Sequence, residues 1–271
     1  MNLSGVRDFL LSPWSFYFRW PVIRVQKFRP QAILWGPFFQ TAVFAFFCKA
    51  LGFLNLGTQP FQFLTAAFLL SAFTGFFHED GFADTADSLC VSKFNSSDEV
   101  LAKIQHAFKD PRLGTFGVSA LLALWFYRYS ATFLFRLSFY DLCFCYLVSR
   151  TTALTFGVVC ARVSKAAKNA RSSHLMNEMG LAATTSVFGL VLGSAIALRA
   201  WGAWSENSLG GSHSVPELAL AGAGVAAGAV MGGALLGSAL VKRSESLNGD
   251  LLGAIACGTE IVAGLLCSKF F

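Results

Sequence analysis

Phe61-Gln-Phe-Leu-Thr-Ala-Ala-Phe-Leu-Leu-Ser-Ala-Phe-Thr-Gly-Phe-Phe77 runs without a break into His78-Glu-Asp-Gly-Phe-Ala-Asp-Thr-Ala-Asp87. The first part carries no charge and approaches the roughly 20 apolar residues that a helix needs to cross a bilayer core. The second part holds four of the chain's 15 acidic residues in ten positions. If it is helical, Asp80, Asp84 and Asp87 fall at i, i+4 and i+7. At about 100° per residue they point the same way, near 0°, 40° and −20°. Like charges so arranged repel by a few tenths of a kcal/mol per pair even when exposed. Acids also favour a solvated first turn of a helix, but that explanation fits poorly beside an apolar run ending at Phe77. A hard divalent cation between the carboxylates suits an all-oxygen site.

The rest of the composition agrees with a membrane setting. The 271 residues are 55% hydrophobic and 13% charged, with a mean hydropathy of +0.56. Soluble domains carry about 25% charged residues. No basic region followed by a short apolar one marks a signal peptide near Met1. Seven cysteines show no paired CxxC spacing and lie mostly in apolar runs, where a free thiol behaves as a small hydrophobe.

Read outward from the acidic stretch, the chain is an all-α, polytopic integral membrane protein. About seven transmembrane helices are expected, near 32–54, 61–77, 115–135, 138–160, 181–199, 217–241 and 251–268. Residues 1–30 mix Arg7, Arg19, Arg24, Lys27 and Arg29 with Trp14, Phe16, Tyr17, Phe18 and Trp20, the pattern of an interfacial segment. Asn95-Ser-Ser-Asp-Glu99 starts a short amphipathic helix from Asp98 to Phe108. No repeat or linker divides the chain, so residues 1–271 form a single domain.

Charge orients it. Of 21 Lys and Arg residues, fifteen fall in the N-terminus and the polar segments 78–113, 161–179 and 242–250. Five (Lys49, Arg128, Arg136, Arg199 and Lys269) fall on the other side or its span ends, and Arg150 stands apart. Basic residues collect in cytoplasmic loops, so the first set, the N-terminus included, is expected in the cytoplasm. The same rule accounts for the net charge of +6 without nucleic-acid binding.

Other candidates sit on that face. His78 suits a general base, a phosphate donor or an interfacial imidazole. Lys109 and Arg112 flank a Pro-Gly bend and suit a pyrophosphate. Arg150 lies in an apolar segment, where an unpaired charge is costly, so the acidic cluster, a substrate phosphate or a place near a span end should relieve it. Asp250 opens the last span and suits an N-cap, while Glu260 lies well inside that span.

His78-Glu-Asp-Gly-Phe-Ala-Asp-Thr-Ala-Asp87, Asp110-Pro-Arg-Leu-Gly-Thr-Phe-Gly117, Val148-Ser-Arg-Thr-Thr-Ala153, and Asn248-Gly-Asp-Leu-Leu-Gly-Ala254 with Glu260 resemble the cobalamin synthase family, adenosylcobinamide-GDP ribazoletransferase. With Phe18-Arg-Trp-Pro-Val22, the matches run in family order over nearly the whole chain. Ser88 and Gln40 stand where the family usually has Gly. The resemblance implies a transferase of the last steps of cobalamin biosynthesis, joining adenosylcobinamide-GDP to α-ribazole or its 5′-phosphate with release of GMP. It implies Mg²⁺ and a multi-pass place in the cell (inner) membrane, with the active site cytoplasmic. Glu79, Asp80, Asp84, Asp87 and Asp250 would hold the metal, and His78 or Asp80 would take a proton. Lys109, Arg112, Arg150 and Asn248 would contact phosphate or nucleotide. The partners are these two substrates and the lipid bilayer; a homo-oligomer is compatible.

Two other classes fit parts of the pattern. Asp80-Gly81 with spaced aspartates resembles CDP-alcohol phosphotransferases, although their Ala-Arg step is absent; turnover of GDP-cobinamide against CDP-lipid separates them. An ion-coupled transporter would carry its acids near mid-membrane on broken helices rather than at an edge.

The charge bias makes a direct prediction. Single cysteines replacing Ser172 and Ser246, in a background without reactive thiols, should be shielded from an impermeant reagent applied outside, and one replacing Ser208 should label. Outside labelling at position 172 overturns the orientation.

Overall fold

The computed structural model describes residues 3–19, 24–90, 97–108, 110, 112–163, 171–207, 215–245 and 247–270. Among them the regular structure is helical throughout, with no strand. The helices are α1 (Leu3–Tyr17), α2 (Gly36–Phe53), α3 (Gln59–Phe73), α4 (Phe77–Leu89), α5 (Ser97–Ala107), α6 (Thr115–Tyr129), α7 (Phe139–Val163), α8 (Arg171–Glu178), α9 (Leu181–Asn207), α10 (Val215–Ser244) and α11 (Gly249–Phe270). A 3₁₀ turn, Pro30–Trp35, leads into α2, and a π turn, Ser130–Leu134, follows α6.

Five of the described segments are long and apolar enough to cross a membrane: Pro30–Phe53, Phe139–Val163, Leu181–Gly202, Pro216–Ser244 and Gly249–Lys269. A sixth results only if α3 and α4 count as one broken span. The expected seven are therefore not reached, and two local causes explain it. α3 ends after 15 residues, and the chain bends by 82° into α4. α6 also stops at 15 residues and passes into the π turn. At about 1.5 Å per residue, 15 residues rise roughly 22 Å, short of the bilayer core.

The bend after α3 is made by two consecutive left-handed residues, Gly75 (φ 66°) and Phe76 (φ 55°). Glycine adopts this region freely, while Phe76 does so at a cost of about 1–2 kcal/mol. The segment after α1 holds the corner in place: the Arg19 N–H donates to the Phe73 carbonyl at 2.8 Å, and the Arg19 side chain fills the space where a Cβ on Gly75 would stand. We place α4 outside the membrane-spanning segments, because its 13 residues carry four carboxylates.

α7 forms the centre and is buried on every side from Cys143 to Leu154. Around it pack α2, α9, α10 and α11, and α11 in turn lies against α4. The outer helices turn Leu190, Leu220 and Leu235 outward, as expected of surfaces that meet lipid. The segment expected at the interface contains α1, which exposes Val6, Arg7 and Leu10. Its buried Asp8 carboxylate accepts the Gln26 and Lys27 N–H groups at 3.2 and 3.0 Å. The amphipathic helix expected at 98–108 is α5, anchored by Ile104.

The bundle is cross-linked by charge rather than by apolar packing alone. Arg128 of α6 donates to Glu79 of α4 at 2.8 Å and to both Glu260 oxygens of α11 at 2.8 and 3.1 Å. Arg150 of α7 reaches the same Glu260 at 2.9 Å. Ser71 of α3 donates to Glu79 at 2.6 Å, and the Tyr127 hydroxyl donates to the Glu260 carbonyl at 2.9 Å. The guanidinium groups also lie over Trp125 and Tyr146. Two cations and two anions, all at most 4% exposed, thus tie four helices together, and Ser71 adds α3 as a fifth. A second buried pair, Arg199 with Asp141, joins α9 to α7.

Removing one member of a buried ion pair typically costs about 3–5 kcal/mol, because its partner is left charged and unpaired. Arg128→Met should therefore destabilise the detergent-solubilised protein by about that much in equilibrium unfolding. Adding Glu79→Gln should recover part of the loss, as expected for coupled sites. Additive losses would mean that the two side chains do not depend on each other.

Candidate active site

The acidic stretch folds as α4, and its two sides have different neighbours. Asp80 is exposed, while Asp84 and Asp87 are half-buried. His78 and Glu79 are buried, at 7% and 2% exposure. A helix explains the split, since residue 78 lies about 200° round from residue 80 and residue 79 about 100°.

The outward face of α4 is completed by α11. A Cβ on Gly81 would stand 2.6 Å from the Asp250 backbone, and one on Gly253 would stand 2.9 Å from the His78 carbonyl. The two helices therefore cross with glycine on both sides of the contact, which sets Asp250 beside the α4 aspartates. The electrostatics record this proximity. Burial, then the Asp80, Asp250 and Asp87 carboxylates, push Asp84 up to about 6.

Asp87 has a further task. Its two oxygens accept the Gly114 and Gly117 N–H groups at 2.7 and 2.8 Å, satisfying free donors at the start of α6. The carboxylate fills the space where a Cβ on either glycine would stand. The Gly114-Thr-Phe-Gly117 spacing is thus a receptacle for a carboxylate from another helix. Ser88, next in sequence, is fully buried and donates to the Thr85 carbonyl at 2.9 Å.

Several expected site residues lie elsewhere. Glu79 faces Arg128 and Ser71, not the aspartates. His78 meets Gln40 of α2, with Nε2 and Oε1 3.1 Å apart, and burial lowers its pKa to about 3, so the ring is neutral. Arg150 is only 4% exposed and is paired with Glu260, which answers its need for a partner inside the protein. Asn248 caps α11 by accepting the Leu251 N–H at 2.9 Å, so the cap role considered for Asp250 falls to Asn248. Arg112 is exposed and forms a two-pronged contact with Asp110 at 2.9 and 2.8 Å, which lowers Asp110 to about 2. Lys109 lies outside the described residues.

Arg128 is the residue that sequence reasoning missed. It stood among outer-side charges, yet the rule applied to Arg150, that a charge in an apolar run needs a partner, applies equally to it. The Asp87 receptacle left only the Gly-x-x-Gly spacing as a signal.

Among the described residues, no three His, Cys, Asp or Glu side chains converge closely enough to hold a metal ion by themselves. The donor set still fits magnesium. That ion keeps several waters and binds through one or two carboxylates plus substrate phosphates, without a closed protein cage. Asp80, Asp84 and Asp250 offer carboxylate oxygens that repel one another.

A carboxylate whose folded pKa lies above its unfolded value stabilises the fold while protonated, and this contribution fades as pH rises from about 3.8 through about 6. Without divalent cation, the melting temperature should fall across that window, and Asp84→Asn should flatten the fall. An unchanged pH slope in Asp84→Asn would show that neither burial nor the neighbouring carboxylates raise Asp84 in the fold.

A family model described as cobalamin-5-phosphate synthase matches residues 9–268. No curated protein and no solved structure matches the chain.

Proposed function

The chain belongs to the cobalamin-5-phosphate synthase family, and from that we propose that it is a membrane transferase joining adenosylcobinamide-GDP to α-ribazole or α-ribazole 5′-phosphate, with release of GMP. A ribose hydroxyl attacks a pyrophosphate phosphorus, the bond to GMP breaks, and the hydroxyl proton passes to a carboxylate. The observation that carries this reading is the set of carboxylates around Asp84, with Asp80 and Asp250 on the crossing of α4 and α11. Such a set suits a phosphoryl transfer, where catalysis is mostly positioning and charge neutralisation.

Asp84 and Asp250 are assigned to Mg²⁺, with Asp80 contributing to the ion or taking the hydroxyl proton. When bound, the ion neutralises charge on the transferring phosphoryl group. Glu79 and His78 act at one remove: buried against Arg128 and Gln40, they hold the rotation of α4 so that Asp80 and Asp84 face outward. Asp87 holds the start of α6 against the same helix. Arg112, exposed beside α6, is assigned to a substrate phosphate, for which it must exchange its present partner Asp110. The excess of basic residues in the segments flanking this site supports a cytoplasmic placement in the cell (inner) membrane.

The test is GMP release from adenosylcobinamide-GDP with and without α-ribazole. Asp80→Asn, Asp84→Asn and Asp250→Asn should each insert and fold but lose about 10²-fold in turnover, in line with losing positioned electrostatic stabilisation. Part of the loss should return at high Mg²⁺. Asp87→Asn should instead lower the melting temperature, because it weakens the α6 contact. Wild-type turnover in the first three variants, together with indifference to chelator, refutes the assignment.

A further inference from the structure

α7 and α10 touch through glycines on α10. Thr152 lies against Gly233, and the Phe156 ring against Gly237. One turn further on the contact opens, and a cavity of about 520 Å³ lies between the two helices. Phe156, Val159 and Val163 of α7 face Val241 and Lys242 of α10 across it, and Glu245 stands just past the end of α10. Val159 and Val163 are 40% and 78% exposed.

Both walls belong to segments long and apolar enough to cross a membrane, and the groove lies at the ends of those segments. Its volume falls in the usual range for a small-molecule site. Its walls are apolar, and its end carries one cation and one anion, three residues apart in sequence. Among the described residues, Lys242 and Glu245 form no ion pair with each other or with another side chain. Lysine near a span end reaches toward the headgroup layer while its stem lies along apolar surface. An acyl chain suits the walls, and a headgroup with both a phosphate and a primary ammonium suits the two charges. The ammonium of an ethanolamine headgroup donates hydrogen bonds to a carboxylate, which a quaternary choline cannot do.

We propose that the α7–α10 groove binds one phospholipid of the ethanolamine-headgroup class, with an acyl chain along Phe156, Val159 and Val163, its phosphate on Lys242 and its ammonium on Glu245. The inference is independent of the transfer reaction.

The test is native mass spectrometry of the full-length protein in detergent, titrated with phosphatidylethanolamine, phosphatidylcholine or phosphatidylglycerol, with soluble glycerophosphoethanolamine as competitor. The wild type should retain one phosphatidylethanolamine about tenfold more tightly than phosphatidylcholine, the scale of one charge-assisted contact. Glu245→Gln should abolish that preference, and Lys242→Gln should weaken all three lipids. Ser238→Phe, which puts a ring into the groove, should reduce retention about tenfold without changing helicity by circular dichroism. The two charge variants carry the test if Ser238→Phe fails to fold. The proposal is overturned if the headgroup preference survives both charge variants. It is overturned equally if a folded Ser238→Phe protein binds lipid like wild type, or if glycerophosphoethanolamine competes at the lipid's own concentration. Disulfide cross-linking of two copies through Val163→Cys, with no lipid retained, would also overturn it by making the groove a contact between chains.

Discussion

A buried guanidinium cannot remain unpaired in an apolar layer, and Arg128 imposes that constraint on much of this fold. Its hydrogen bonds to Glu79 and Glu260 fix α6 against both α4 and α11, and Arg150 adds α7 through the shared Glu260. Desolvating four charges is expensive, and such networks often add little net stability over apolar packing. Their geometry, however, is demanding: rotating α4 by one residue would remove Glu79 from Arg128 and leave buried charges unmatched. In this fold the network selects one arrangement among otherwise similar apolar packings.

The same constraint acts on the acidic helix from behind. Glu79 and Asp80 are adjacent, so anchoring the first on the inner side turns the second outward. The glycine contact between α4 and α11 then brings Asp250 to that outer face, because a side chain on Gly81 would meet the Asp250 backbone. Asp87 sets the far end of α4 against the start of α6. Three contacts of different physical kinds, an ion network, a backbone crossing and a capped helix start, thus converge on one face. Burial, joined by the resulting crowding of carboxylates, raises Asp84, and the crowding is what a divalent cation would relieve.

Spacing in sequence already carried the all-helical membrane class, the shared face of Asp80 and Asp84 and the short α5. These depend on hydrophobic length and on the helical period, both local. The same local rules read 61–77 and 115–135 as unbroken spans, which the fold does not confirm, because hydropathy does not register a left-handed corner at Gly75 and Phe76 or a π turn after Tyr129. They also read His78, Glu79 and Arg150 as members of one site, since all three are polar residues in recognisable motifs. In the fold each satisfies a buried partner instead.

What the sequence determined by itself was therefore the class of molecule and the chemistry of its acidic helix: apolar runs must leave water, and carboxylates at helical spacing must share a face. What only the tertiary structure decided was the division of labour among the charged residues. Arg128 and Arg150 are alike in sequence terms, as are Asp80 and Glu79. Both arginines, and Glu79 but not Asp80, are committed to holding the bundle, through contacts between residues far apart in sequence: Glu79 with Arg128, and Arg128 and Arg150 with Glu260. Pairing energy in a low-dielectric interior depends on distance and geometry, and no local pattern encodes either.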